Sequence, residues 1–198
     1  MVFTFLLLMY SRYEPDDKIL FDGVSLVGWQ VIDFEGHGSI NVTDSCIIIG
    51  KGTAISGIKW MKDFPTTNYE VSLEAKRVEG SDFFCGLTVP VKESFITLIL
   101  GGWGGSVVGL SCIDSYDAAE NETYALMNFE AGKWYSIRLK ISDKKIEAWI
   151  DDEKYVDFTI GNYDLSLRWE VESSKPFGIT TYKTTGALRN IRLDTMTE

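Results

Sequence analysis

Four glycines frame one tryptophan in the run Gly101-Gly102-Trp103-Gly104-Gly105, and carboxylates follow at Asp114, Asp117, Glu120 and Glu122. Glycine frees the backbone to take positive φ and leaves the indole without neighbouring side chains to cover it. An indole presented in that way beside carboxylates can serve as a platform for a flat apolar ligand face such as a sugar ring. The same pattern also suits a tight strand connection whose tryptophan tucks into the core, since aromatic side chains are mostly packing residues. Acid–base chemistry has its own candidates. Asp82 opens an apolar run beside Phe83 and Phe84, where partial desolvation is expected to shift its pKa. Glu74, Arg168 and Glu170 occupy polar positions of alternating stretches, although any exposed sheet face carries such residues. The single histidine, His37, sits in the loop Glu35-Gly36-His37-Gly38, where it is either a contact for a ligand or a plain surface residue. Asp114, Asp117 and Glu120 supply oxygen ligands for calcium or a similar divalent ion. Their run lacks the glycine and ligand spacing of an EF-hand loop, so a solvated acidic loop is the other reading.

Strands must position these groups, because the hydrophobic period is two almost throughout. Tyr69, Val71, Leu73 and Ala75 alternate with Glu70, Ser72, Glu74 and Lys76. Tyr135, Ile137, Leu139 and Ile141 alternate with Ser136, Arg138 and Lys140, and turns at 142–145 and 151–152 extend this run into a three-strand meander. Leu165, Leu167, Trp169 and Val171 predict a further strand, and residues 177–182 and 187–193 predict a closing pair. Only residues 114–128, through Ala118-Ala119-Glu120, suit a short helix. Strands at intervals of about 8 to 12 residues with turns between them predict an all-β chain, one antiparallel β-sandwich. Trp29 and Trp149 fall in core-like stretches and are read as structural, whereas Trp60 is left open.

Bulk properties narrow the partners. A hydrophobic content of 45% supports a packed core and excludes a disordered chain. A net charge of −10 argues against nucleic acid, which needs a basic footprint, and against an anionic membrane surface. Three cysteines without CxxC spacing point to free buried thiols rather than a disulfide framework or zinc site. The apolar start, residues 1–10, resembles a signal-peptide core but lacks a basic flank and a small-residue cleavage site; a truncated export signal and an ordinary strand or tail are both open. It is shorter than the roughly 20 apolar residues that span a bilayer. Residues 1–18 are read as a tail and 19–195 as the folded domain.

Several segments fall in a recognisable order. They begin with Leu20-Phe21-Asp22-Gly23-Val24-Ser25-Leu26-Val27-Gly28-Trp29, followed by Gly132-Lys133-Trp134-Tyr135 and by Ile146-Glu147-Ala148-Trp149-Ile150-Asp151-Asp152. Pro176-Phe177-Gly178-Ile179 and Ala187-Leu188-Arg189-Asn190-Ile191-Arg192-Leu193 close the series. Together they resemble the bacterial 3-keto-disaccharide hydrolase domain family over about residues 19 to 195. The resemblance implies a concanavalin A-like, laminin-G-like jelly roll whose concave sheet carries a carbohydrate ligand. It also implies an extracytoplasmic location and cleavage of 3-keto glycosides. Two stretches depart from the family pattern: Ser81-Asp82-Phe83-Phe84-Cys85-Gly86 replaces an N-S-G-type step, and Thr180-Thr181-Tyr182-Lys183-Thr184-Thr185-Gly186 supplies no histidine.

Within that frame, glycoside cleavage uses two carboxyls about 5–10 Å apart, one of them protonated. A 3-keto sugar also offers an acidic proton beside its carbonyl, so one base can start an elimination. Asp82, Glu74 and Glu170 are the expected catalytic carboxyls, and Trp103, Arg168 and His37 the expected substrate contacts. The alternatives are a glycan-binding, lectin-like module without catalysis and a laminin-G-type protein interaction domain.

Overall fold

The computed structural model describes residues 16–196, and the apolar run 1–10, read as an export signal or a tail, lies outside the described residues. In chain order the strands are β1 (Asp16–Ile19), β2 (Trp29–Val31), β3 (Ile40–Thr43), β4 (Cys46–Ile49), β5 (Ile55–Trp60), β6 (Tyr69–Gly80), β7 (Cys85–Val91) and β8 (Ser94–Gly102). They continue with β9 (Val107–Ser111), β10 (Ala125–Leu126), β11 (Tyr135–Ile141), β12 (Lys145–Ile150), β13 (Glu153–Thr159), β14 (Gly178–Tyr182) and β15 (Thr184–Thr195). Two sheets form. The eight-stranded sheet runs β13-β12-β11-β6-β15-β4-β3 with β1 also on β15, and the seven-stranded sheet runs β10-β9-β8-β7-β14-β5-β2. Every pairing between these strands is antiparallel. The chain is an all-β jelly-roll sandwich.

The period-two patterns become the inner faces. Tyr69, Val71, Leu73 and Ala75 of β6 and Tyr135, Ile137, Leu139 and Ile141 of β11 are buried, while the residues between them point outward. Opposite them stand Leu87 and Val89 of β7, Ile96, Leu98 and Leu100 of β8, and Val108 and Leu110 of β9, all fully buried. Each such side chain contributes about 1.5–3 kcal/mol when removed from water. The three cysteines are buried and free.

Three local expectations fail for identifiable reasons. Residues 165–172 are not a strand; the segment closes in a 3-10 helix, Trp169–Ser174. Its buried positions are Val171 and Ser174, three apart, which is the 3-10 period. Residues 114–124 form turns, and 125–126 the short strand β10, rather than a helix. The Asn121 amide donates to the carbonyls of Leu110, Tyr116 and Asp117 and so competes with helical backbone bonds. Finally, β14 and β15 do not pair with each other. They lie in different sheets, and the chain crosses between them at Lys183, whose φ is +46°.

The outer face of the seven-stranded sheet decides where a ligand can sit. Because Cys85, Leu87 and Val89 face the core, Gly86 and Thr88 face outward, and register carries this to Thr97 and Ile99 on β8, Gly109 and Ser111 on β9, and Gly178 and Thr180 on β14. Two segments lie across this face where it is bare. A Cβ on Gly109 would stand 3.0 Å from the Ala118 carbonyl, and one on Gly178 would stand 2.6 Å from the Ser174 carbonyl. Loop 112–124 and the 3-10 turn therefore cover the flanks and leave an opening between them.

Gly178→Ala is expected to push the 3-10 turn off the sheet and to cost about 1–3 kcal/mol, as overpacking does. Urea denaturation checks it; an unchanged midpoint would show that the turn gives way without strain.

Candidate functional site

Between those flanks lies a cleft of about 420 Å³, within the size range of small-ligand sites. Thr97, Ile99 and Ser111 supply its floor from the sheet. Asp82, Phe83, Trp103 and Tyr182 line one side, and Arg168, Glu170 and Val171 the other. The Phe83 and Tyr182 rings stack at 5.9 Å with an interplanar angle of 22°. Ile99, Val107 and Ala118, with Phe83 against them, form a small apolar cluster of their own on this outer face.

Trp103 stands on the β8–β9 turn with a φ of +48°, between Gly101 at +78° and Gly104 at +89°. The ring is 45% exposed and faces the cleft rather than the core. Two side chains brace this turn. Arg77 rises from β6, buried, and donates from Nη2 to the Gly105 carbonyl at 2.7 Å. Its guanidinium lies over the rings of Phe84 and Phe129 at 5.4 and 6.0 Å. Gly101 has to be glycine here, since a Cβ would come within 2.6 Å of that guanidinium. Asp82 is the second brace: Oδ1 accepts the Phe83 N–H at 2.8 Å and Oδ2 the Gly104 N–H at 3.2 Å.

Arg168 organises the facing side. Its Nη2 and Nε donate to the two carboxylate oxygens of Glu170 at 2.9 and 3.3 Å, a bidentate fork, while Nη1 pairs with Asp117. Asp117 also accepts the Ser111 hydroxyl at 3.0 Å and the Cys112 thiol at 3.4 Å. The guanidinium holds the Glu170 carboxyl below the usual carboxylate range, and Glu170 in turn raises Arg168. Burial pushes the Cys112 thiol up, which leaves it a poor nucleophile.

The structure thus brings Asp82, Trp103, Arg168 and Glu170 to one cleft and leaves other expected residues elsewhere. Glu74 lies on the outer face of the eight-stranded sheet, on the far side of the sandwich, where it pairs with Arg189 and accepts from Asn190 at 3.1 Å. His37 does not line the cleft; its Nδ1 is 2.8 Å from the Gly38 carbonyl, and its Nε2 is 3.9 Å from Asp33. Asp114, Asp117 and Glu120 do not assemble as metal ligands. Asp114 accepts the Asp164 N–H at 2.8 Å, Asp117 turns to Arg168, and no group of three metal-ligating side chains occurs among the described residues. The residues present do not fit a calcium site. Trp29 and Trp60 are buried against each other. Trp149 lies half-buried between Arg138 and Lys154.

Thr97, Ser111 and Tyr182 carry only a faint sequence signal, a hydroxyl at an outward position of a strand. Trp169, an inward strand residue by its alternation, is instead 81% exposed and lies outside the cleft lining, between Arg168 and Glu170, which belong to it.

Over residues 16–194 the chain matches, and belongs to, the family of 3-keto-alpha-glucoside-1,2-lyase-like domains. No curated protein gives a significant match. Among solved structures, a candidate glycosyl hydrolase from Parabacteroides distasonis superposes with a TM-score of 0.58 at 17% identity, covering 91% of this chain and 94% of that one. The carbohydrate-binding module CBM66 from Bacillus subtilis gives 0.58 at 13% identity, with 85% and 96% covered. The exoplasmic/lumenal domain of VIP36, in its Ca2+/Man3GlcNAc-bound form, gives 0.61 at 10% identity, with 90% and 88% covered. At these identities the likeness establishes the sandwich fold.

Asparagine at position 82 can accept only one of the two backbone N–H groups that the carboxylate accepts. Asp82→Asn is expected to loosen the Trp103 turn and to lower stability by about 1–2 kcal/mol. Denaturation together with the near-ultraviolet circular dichroism of the indoles checks this, and an unaltered spectrum and midpoint would mean that Asp82 does not brace the turn.

Proposed function

We propose that this member of the 3-keto-alpha-glucoside-1,2-lyase-like family is a carbohydrate-active domain whose cleft cleaves 3-keto glycosides by base-initiated elimination. The observation that carries the reading is the Arg168–Glu170 fork. Hydrolysis by a carboxylate pair needs one protonated acid, and Arg168 drives Glu170 the other way, toward its ionised form. An ionised carboxylate is what an elimination needs.

In this mechanism the ring of the keto sugar lies against Trp103, and the carbonyl at C3 acidifies the proton on C2. Glu170 takes that proton, the C2–H electron pair becomes the C1–C2 double bond, and the C1–O bond breaks. The departing oxygen leaves with the bonding pair and receives a proton from water or from the newly protonated Glu170, so no net proton is consumed. Arg168 orients the base and Asp117 orients Arg168, while Asp82 and Arg77 hold the stacking surface. An extracytoplasmic place of action is part of the proposal, motivated by the apolar run 1–10. No helix among the described residues is long and apolar enough to cross a membrane.

A second reading, glycan binding without turnover, is favoured by one observation: both oxygens of Glu170 are engaged by Arg168, and both of Asp82 by backbone N–H groups. Kinetics on 3-oxidised α-glucosides separate the two. Glu170→Gln is expected to lower the elimination rate at least about 100-fold, the usual scale for a general base, and deuterium at C2 to slow the native protein. Binding without product in the native protein would leave only the lectin-like reading.

The pH profile carries a sign. The base works when deprotonated, so a lowered pKa keeps the native protein active below the ordinary glutamate range, with activity falling as pH drops through that lowered value. Arg168→Met removes the cause and is expected to move the acid limb to higher pH. An acid limb that stays in place would exclude Glu170 as the titrating base.

A further inference from the structure

Four of the chain's six tryptophans have their rings occupied by neighbours. Trp29 and Trp60 meet with ring centroids 5.3 Å apart. Trp134 lies against Lys76 and Arg189, and Trp149 against Arg138 and Lys154. Trp103 and Trp169 are the two that, among the described residues, have no aromatic ring or cation against them. Trp103 lines the cleft, while Trp169 stands just outside its lining, carried on the backbone between Arg168 and Glu170, which do line it.

The turn bearing Trp169 is held in place. The guanidinium fork joins its two flanking residues, and Ser174 at its far end packs onto Gly178. An indole 81% exposed on such a turn is a large apolar surface that local packing leaves open. Tyr116, 59% exposed, adds a second open ring beside Asp117, which Arg168 ties to the same side. Charge narrows the ligand further. Glu170 and Asp117 outnumber the one guanidinium between them, so this edge disfavours uronic acids and sulfated sugars.

We propose that the binding site extends beyond the cleft onto Trp169, so that a neutral oligosaccharide stacks one ring on Trp103 and a following ring on Trp169. The inference rests on the sugar-binding reading of the cleft and adds a length requirement to it.

The test is a series of 3-oxidised α-glucosides whose leaving group is methanol or one, two or three further glucose units. The readout is kcat/KM, or Kd where the native protein binds without turnover. The native protein is expected to gain with chain length. Trp169→Ala is expected to remove about 3–10-fold of that gain, the scale of one aromatic contact, with the methyl glycoside affected least and Trp169→Phe retaining most of the gain. Trp103→Ala weakens every member of the series. An equal effect of Trp169→Ala at all lengths, or none, overturns the extended site while leaving the cleft reading intact. A native protein that neither binds nor cleaves any member overturns both. Because Trp169 is 81% exposed, an unchanged denaturation midpoint is the expected folding control.

Discussion

A strand sends successive side chains to opposite faces, and on the seven-stranded sheet that constraint fixes everything the cleft is made of. Leu87, Leu98 and Leu110 have to face the core. Their neighbours Gly86, Thr88, Thr97, Ile99, Gly109 and Ser111 are thereby committed to the other side. Glycine on that side lets loops settle directly on the backbone, at Gly109 under Ala118 and at Gly178 under Ser174. Threonine and serine leave hydroxyls where the cover parts. A one-residue slip in β8 would exchange Thr97 for Leu98 at the floor, so the core and the cleft share a single register.

Two arginines then shape the walls in different ways. Arg77 is buried beneath the Trp103 turn, an expensive location for a cation. It is offset by the Gly105 carbonyl, the field of Asp82 and the faces of Phe84 and Phe129, and burial still lowers its pKa. Its role is to hold a backbone. Arg168 is half-exposed and spans Glu170 and Asp117, so it fixes two carboxylates from separate loops with one planar group. The cleft is thus braced from below by a buried charge and across its mouth by an exposed one. Arg168 is not replaceable by lysine, which has one nitrogen to offer where this position uses a fork.

Much of this was legible in the sequence because half-buried strands alternate cleanly. β6, β11 and the β11–β12–β13 meander follow directly from the spacing of Tyr69, Val71 and Leu73 and of Ile137, Leu139 and Ile141. Alternation tells inward from outward, but not which sheet an outward residue belongs to. Glu74 illustrates this: it points outward as its pattern requires, yet from the sheet without the cleft. Asp82, Trp103 and Glu170 come together because loops fold over one face, and loop paths depend on contacts such as Asn121 with three carbonyls that no local pattern announces. Trp169 departs from its pattern for a related reason. Its stretch alternates well enough for a strand, but burial at Val171 and Ser174 follows a period of three.

The opposite face of the sandwich differs from the cleft face in how its indoles are covered. On the eight-stranded sheet Trp134 and Trp149 also point outward. Each, however, is covered by cations: Arg189 at 4.2 Å and Lys76 at 4.6 Å on Trp134, Arg138 at 4.4 Å and Lys154 at 4.9 Å on Trp149. Of these cations, Arg189 is held in turn by Glu74, Arg138 by Glu70, and Lys154 by Glu147 and Asp157. Individually such surface pairs are worth at most about 1 kcal/mol. Together they occupy the ring faces that a sugar would need. A stacking ligand requires an aromatic surface that the protein leaves open, and among the described residues this fold leaves it open on one sheet only.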